Sequence, residues 1–125
     1  MNRDELYRIW KAEKTDKTLQ KIPPSFYSEV SSLLSDSKAP LAAAGQDKTQ
    51  KAISEKELKI LRRLSTELAE TRMKKIVDAA LSRQEVPIEM LTREEAEFAK
   101  LIATHTAEHY RFIDELAQGG PAFEK

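Results

Sequence analysis

The chain has no cysteine, so disulfides and thiolate metal centres are excluded, a usage that fits a cytosolic protein. It is almost as poor in chain-breaking residues. With 3 glycines and 5 prolines in 125 positions there are few places for tight turns, and no run alternates apolar and polar residues with the period of two that a half-buried strand needs. No stretch approaches the roughly eighteen apolar residues of a membrane span. The N-terminal residues include Arg3, Asp4 and Glu5 where a secretory signal would carry an apolar run, so the expectation is a protein that stays in the compartment where it is made. An excess charge of one sign is also missing. With 21 basic and 21 acidic residues, bulk charge points to neither nucleic acid nor an anionic membrane as partner.

What the sequence does have is helical periodicity, and it reads as a single all-α domain of four to five helices. A first helix spans about Asn2 to Lys14, with Leu6, Ile9, Trp10 and Glu13 at the spacing of one face and Trp10 as its anchor. The segment from Leu19 to Leu34 then joins a helix stop to a helix start. Pro23 and Pro24 end whatever precedes them, and a second helix runs from Pro24 to Leu34 with Phe26, Val30, Leu33 and Leu34 on one face and Tyr27 at its edge. Leu19 and Ile22 are expected to tuck beneath that helix. Ser35 to Pro40 has the composition of a turn.

From Asp47 to Arg83 the chain contains neither glycine nor proline, and Ile53, Leu58, Leu61, Leu64, Leu68, Ile76, Val77, Ala80 and Leu81 mark one long third helix. At 1.5 Å per residue it would span on the order of 50 Å, more than a compact domain of this size needs for its own core. Pro87 interrupts the pattern. Thr92 and Glu95 have the spacing of a capping box opening a last helix, whose stripe is Phe98, Leu101, Ile102, His105, His109, Phe112, Ile113 and Leu116. Gly119-Gly120-Pro121 ends it, so the helical domain covers residues 1–117, followed by a tail or linker at 118–125. Charge is uneven along this plan: +1 over residues 1–44, +3 over 45–86 and −4 over 87–125.

Few of the side chains form a constellation with chemistry. His105 and His109 have the i, i+4 spacing at which two imidazoles can bind one metal ion. Thr106 stands where a metalloprotease helix has glutamate, and Ile102 and Thr106 stand where a di-iron bundle has its glutamates. No phosphate-binding loop, dinucleotide fingerprint or nucleophile–base arrangement can be nominated, so no enzymatic activity and no cofactor is expected. The basic residues Lys56, Lys59, Arg62, Arg63, Arg72, Lys74 and Lys75 suggest an alternative function, a helical nucleic-acid-binding module with Arg62, Arg63, Lys74 and Lys75 as phosphate contacts. Interspersed Glu55, Glu57, Glu67, Glu70 and Asp78 point instead to a solvated face laced with i, i+4 ion pairs. Arg72 stands apart. It lies one turn before Ile76, beside the apolar stripe, where its guanidinium could make fixed hydrogen bonds across a helix interface.

Taken in order, these motifs resemble a known family. Leu6 and Ile9 in a first helix are followed by Leu19-x-x-Ile22-Pro23-x-x-Phe26-Tyr27-x-x-Val30. A long charged helix then ends in Arg72-x-x-Lys75-Ile76-Val77-x-x-Ala80-Leu81, and Leu91-Thr92-x-Glu94-Glu95 opens the last helix. This is similar to the helical A domain of GINS subunits, in particular the archaeal type whose A domain comes first. The resemblance implies a non-catalytic scaffold that assembles with other GINS subunits as a homotetramer or heterotetramer. It implies further partners in the MCM helicase and a RecJ-like or Cdc-type protein at the replication fork; the basic residues of the third helix allow, at most, weak direct DNA contact. The implied location is the cytoplasm at the nucleoid, or the nucleus in a eukaryote. Phe26, Tyr27, Arg72, Lys75 and Ile76, the matching motif positions, would then belong to the core and subunit interfaces. Family members of this arrangement continue into a β-rich B domain, whereas this chain stops at Lys125, so contacts made through a B domain are not carried over.

Overall fold

A computed structural model of the chain describes residues 1–120 and contains four α-helices and one 3₁₀ turn, with no strand among the described residues. They are α1 (Arg3–Thr15), α2 (Phe26–Ala43), α3 (Lys48–Leu81), the 3₁₀ turn Ile88–Met90, and α4 (Arg93–Ala117). Helix α3 is the strut, and α1, α2 and α4 all pack on it. Three of the four helices start on side-chain caps. Asn2 accepts from the Glu5 amide, Asp47 from the Gln50 amide, and Thr92 from the Glu95 amide. The Glu95 carboxylate in turn accepts from the Thr92 N–H, completing the expected capping box.

The buried stripe of α3 is Ser54, Leu58, Leu61, Leu64, Leu68, Arg72, Ile76 and Ala80. Its first part meets Leu6 of α1, Ile22, and Phe26 and Val30 of α2 in one apolar cluster; its last part meets Val86, Leu91 and Ala99 in a second. Arg72 occupies the turn between Leu68 and Ile76, so the one charge in the stripe sits between the two clusters.

Helix α1 runs in the same sense as α3, since Arg3 pairs with Glu57, Trp10 bonds Glu67, and Glu13 pairs with Arg72. At Glu57 and Glu67 these links to α1 take the place of the i, i+4 ion pairs expected along α3. The residues 82–92 carry the chain back along α3, so that α4 also runs in its sense, with Arg72 bonded to Glu95 and Arg83 to Asp114. That return begins at Arg83, whose φ of +58° is the left-handed conformation usually taken by glycine. Its guanidinium lies 4.0 Å from the Tyr110 ring centre and pairs with Asp114 at 3.1 Å, contacts that hold it there.

Four expectations are corrected. Helix α2 begins at Phe26, after the Pro23–Pro24 turn, and runs nine residues past Leu34. Ser37 bonds the Leu33 carbonyl within the helix instead of turning the chain, and Pro40 sits in the last turn, where its missing N–H costs little. Leu19 packs on the second cluster, against the α3 end of the molecule, and not beneath α2. Ile53 faces solvent, 59% exposed. The stripe of α4 is buried only near its start: Leu101, Phe112, Ile113 and Leu116 remain exposed. The later turns of α4 keep contact with the end of α3 and the turn after it, where the Tyr110 hydroxyl donates to the Leu81 carbonyl and Asp114 accepts from Arg83. Residues 121–125 of the expected tail lie outside the described residues.

Candidate functional site: a charged junction between four segments

Arg72 is fully buried, yet every donor of its guanidinium is used. Nε and Nη2 form the two-pronged contact with Glu95, at 2.8 and 2.9 Å, that matches a carboxylate's geometry. Nη1 donates to Glu13 Oε1 at 2.6 Å and to the Gln20 carbonyl at 2.7 Å, and Nη2 also donates to the Met90 carbonyl at 2.9 Å. One side chain thereby ties α1, the α1–α2 connection, the return segment and α4 to α3.

Its two carboxylates are equally engaged. Glu95 also accepts from the Tyr27 hydroxyl at 2.6 Å and the Thr92 amide at 3.0 Å. Glu13, wholly buried, also accepts from Lys75 Nζ at 2.6 Å and the Gln20 amide at 3.3 Å. Lys75 donates in addition to the carbonyls of Glu13, Asp16 and Thr18, so its ammonium closes the C-terminal end of α1, where cations are favoured. No buried side-chain nitrogen or oxygen among the described residues lacks a partner.

Electrostatics fixes the protonation states. Burial pushes the Glu95 carboxyl up, but bonds from Arg72, Tyr27 and the Thr92 amide, together with the Arg72 charge, outweigh it and hold the group below its ordinary value. Burial likewise opposes charge on Arg72, and the contacts to Glu95 and Glu13 reverse that, raising its pKa. Tyr27 is pushed far up, first by burial and then by the adjacent Glu95 carboxylate, so its hydroxyl stays a donor. The assembly is a clamp of satisfied charges, with no donor of the guanidinium left to bind a further group.

The sign of the resulting pH dependence follows. A carboxyl whose folded pKa is depressed contributes stability that is fully present above its unfolded value, near the ordinary 4.5, and is lost as pH falls through the folded value. Urea midpoints measured from pH 7 to pH 3 should therefore fall below about pH 4.5. Glu95→Gln should start lower at pH 7 and show a flatter acid limb.

No family model, curated protein or solved structure matches the chain.

The five motif residues share this region. Phe26 and Ile76 lie in the two flanking apolar clusters, Tyr27 and Lys75 bond the carboxylates, and Arg72 is central. The four basic residues considered for phosphate contact do not act together. Arg62, Arg63 and Lys74 are exposed, whereas Lys75 is turned inward onto Glu13. His105 and His109 are both exposed on α4, His109 against the Phe112 ring at 5.4 Å, and no group of three or more metal-ligating side chains occurs among the described residues. A cleft of about 470 Å³ lies elsewhere, between the end of α3 and the outer part of α4, and is lined by Arg83, Tyr110, Arg111 and Asp114 among others.

Sequence reading found Arg72 from its place in the stripe but missed both of its carboxylate partners. The available signals were Glu13 at the apolar spacing of α1 and Glu95 in the capping box. Neither signal names a partner 59 or 23 residues away.

Proposed function

We propose that this chain is a non-catalytic scaffold subunit of a GINS-type complex, acting in support of the MCM helicase during DNA replication initiation and fork progression. Its partners on this reading are sister GINS subunits, in a homotetramer or heterotetramer, with the MCM helicase and a RecJ-like or Cdc-type protein beyond them. The observation that supports it most is the convergence of Phe26, Tyr27, Arg72, Lys75 and Ile76 on one junction. These are the positions that carry the resemblance, and their order along the chain corresponds to a single physical unit that sets how the four helices meet. A rigid junction of this kind suits a protein that works by presenting surfaces.

The expected result is association. Light scattering on the purified chain, alone and with a sister GINS subunit, should give a mass above that of the monomer that rises with concentration or on adding the sister. A monomer at all concentrations, with no gain in mass from the sister, would remove the reading.

A further inference from the structure

The chain as a whole is neutral, but the fold sorts its charge. Between Lys48 and Arg63 the outward side of α3 carries Lys48, Lys51, Lys56, Lys59, Arg62 and Arg63, all exposed. At about 100° per residue they fall within about 140° of the helix circumference, along about 22 Å of its length. Glu55 is the one carboxylate on the same arc. The neighbouring Glu57 and Glu67 lie on the side that meets α1, where Glu57 pairs with Arg3 at 2.7 Å and Glu67 accepts from Trp10 and pairs with Lys14. Glu67 is thereby drawn away from Arg63, its neighbour one turn back. None of the six basic side chains has a hydrogen bond or ion pair among the described residues. Exposed Glu70 closes the stripe, so Lys74 is not part of it.

Acidic residues gather at the other end of the strut. Helix α4 carries six acidic side chains against three basic ones. Its first turn is bonded to Arg72, about 13 Å beyond Arg63 along α3, and it runs on away from Lys48. The stripe therefore keeps a positive field that the net charge conceals.

The make-up of the stripe selects its ligand. It exposes no large apolar side chain, since Ile53 lies off the arc on the side of Glu57, so a protein partner would bury little hydrophobic area there. The apolar face of α3 is turned into the core, which leaves none to enter a lipid headgroup layer. A row of phosphates needs only clustered lysine and arginine. No aromatic ring stands among the six, so bases are neither stacked upon nor read.

We propose that the first half of α3 is a sequence-independent binding stripe for the phosphate backbone of nucleic acid. This goes beyond the scaffold reading and does not depend on which complex the chain joins.

The test is fluorescence anisotropy of the full chain with labelled DNA of about thirty nucleotides, single-stranded and duplex, in two base compositions. Binding should be indifferent to composition, and about four phosphate contacts would lower the affinity on the order of a hundredfold between about 50 and 200 mM salt. The double variant Lys59→Glu, Arg63→Glu should weaken binding at low salt by about tenfold or more without moving the thermal melt, because both side chains are exposed and unbonded. Lys74→Glu with Lys100→Glu makes the same change in net charge off the stripe, and should weaken it by less than about twofold. The proposal is overturned if neither DNA binds at low salt, if salt leaves the affinity unmoved, or if the off-stripe pair weakens binding as much as the stripe pair. It is also overturned if phosphatidylserine vesicles, at equal phosphate, bind more tightly than either DNA. Failure of the sizing experiment with a sister subunit, alongside stripe-dependent DNA binding here, would remove the GINS reading and leave the stripe standing.

Discussion

Replacing Arg72 by methionine is expected to lower the free energy of unfolding by about 3–5 kcal/mol, the range for breaking a buried ion pair by removing one partner. The methionine fills much of the volume, so the loss is electrostatic. Five hydrogen bonds disappear, and two carbonyls and parts of two carboxylates are left in a site that excludes water. Glu13 keeps Lys75, and Glu95 keeps Tyr27 and the Thr92 amide, so neither is abandoned, but neither retains a cation in two-pronged contact. Against a typical total stability of about 5–15 kcal/mol, such a change would move the urea midpoint far enough to leave the chain marginal at room temperature. Arg72→Lys should recover only part of the loss, because an ammonium has three donors for five acceptor positions and cannot span the Glu95 carboxylate. Lys75→Met should cost less than Arg72→Met, since the Lys75 side chain keeps 15% of its exposure and water can replace some of its bonds. If Arg72→Met unfolds with an unchanged midpoint, the junction contributes nothing to stability.

The cluster also bears on which fold is selected. Apolar contacts alone would let the return segment and the start of α4 slide along α3, because leucines and alanines pack in more than one register. The guanidinium accepts only an arrangement that brings the Gln20 and Met90 carbonyls and the Glu13 and Glu95 carboxylates to it at once. Arg72 therefore fixes the level at which α4 starts. That start brings the later turns of α4 to the end of α3, where Tyr110 bonds the Leu81 carbonyl and Asp114 pairs with Arg83.

The parts of this design that local spacing controls are legible in the sequence. The long α3, the Thr92–Glu95 capping box and the buried face of α2 follow from apolar periodicity and from hydrogen bonds made within four residues. Arg72 is legible as a cation in an apolar register. The rest depends on distance along the chain. Whether Glu13 is a surface residue or the partner of Arg72 is decided by how α1 lies on α3, which no local pattern states. The composition of Ser35 to Pro40 favours a turn, but the helix already under way absorbs it, since serine can bond back to the preceding turn and proline is tolerated near the end. The stripe of α4 shows the opposite case: its period correctly marks a helix, but only Phe98 and Ile102 at its start are half-buried, while Leu101 and Leu116 stay exposed, a difference that no local pattern states.

Phe26→Ala is expected to cost about 3–5 kcal/mol, measured as a loss in unfolding free energy by urea titration, because the ring is 1% exposed and the cavity it leaves cannot collapse easily. Phe26 opens α2 just after the Pro23–Pro24–Ser25 turn, and the Pro23 carbonyl accepts its amide, so its backbone is fixed by the turn and cannot shift to fill the space. Leu6, Ile22, Leu61, Leu64 and Leu68 close around it, and the neighbouring Tyr27 ring packs against it edge-on with centres 5.7 Å apart. That last contact couples the core to the charged junction, because the Tyr27 hydroxyl is bonded to Glu95. Removing the Phe26 ring loosens Tyr27, which in turn weakens one of the bonds that keeps Glu95 ionised. The effects of Phe26→Ala and Arg72→Met should therefore be non-additive, with the double variant losing less than the sum of the two. As a control, Ile53→Ala removes a side chain of similar apolar character that is 59% exposed and should move stability by no more than about 0.5 kcal/mol. Strict additivity between Phe26 and Arg72 would show that the apolar core and the junction act as two independent units joined only by the chain.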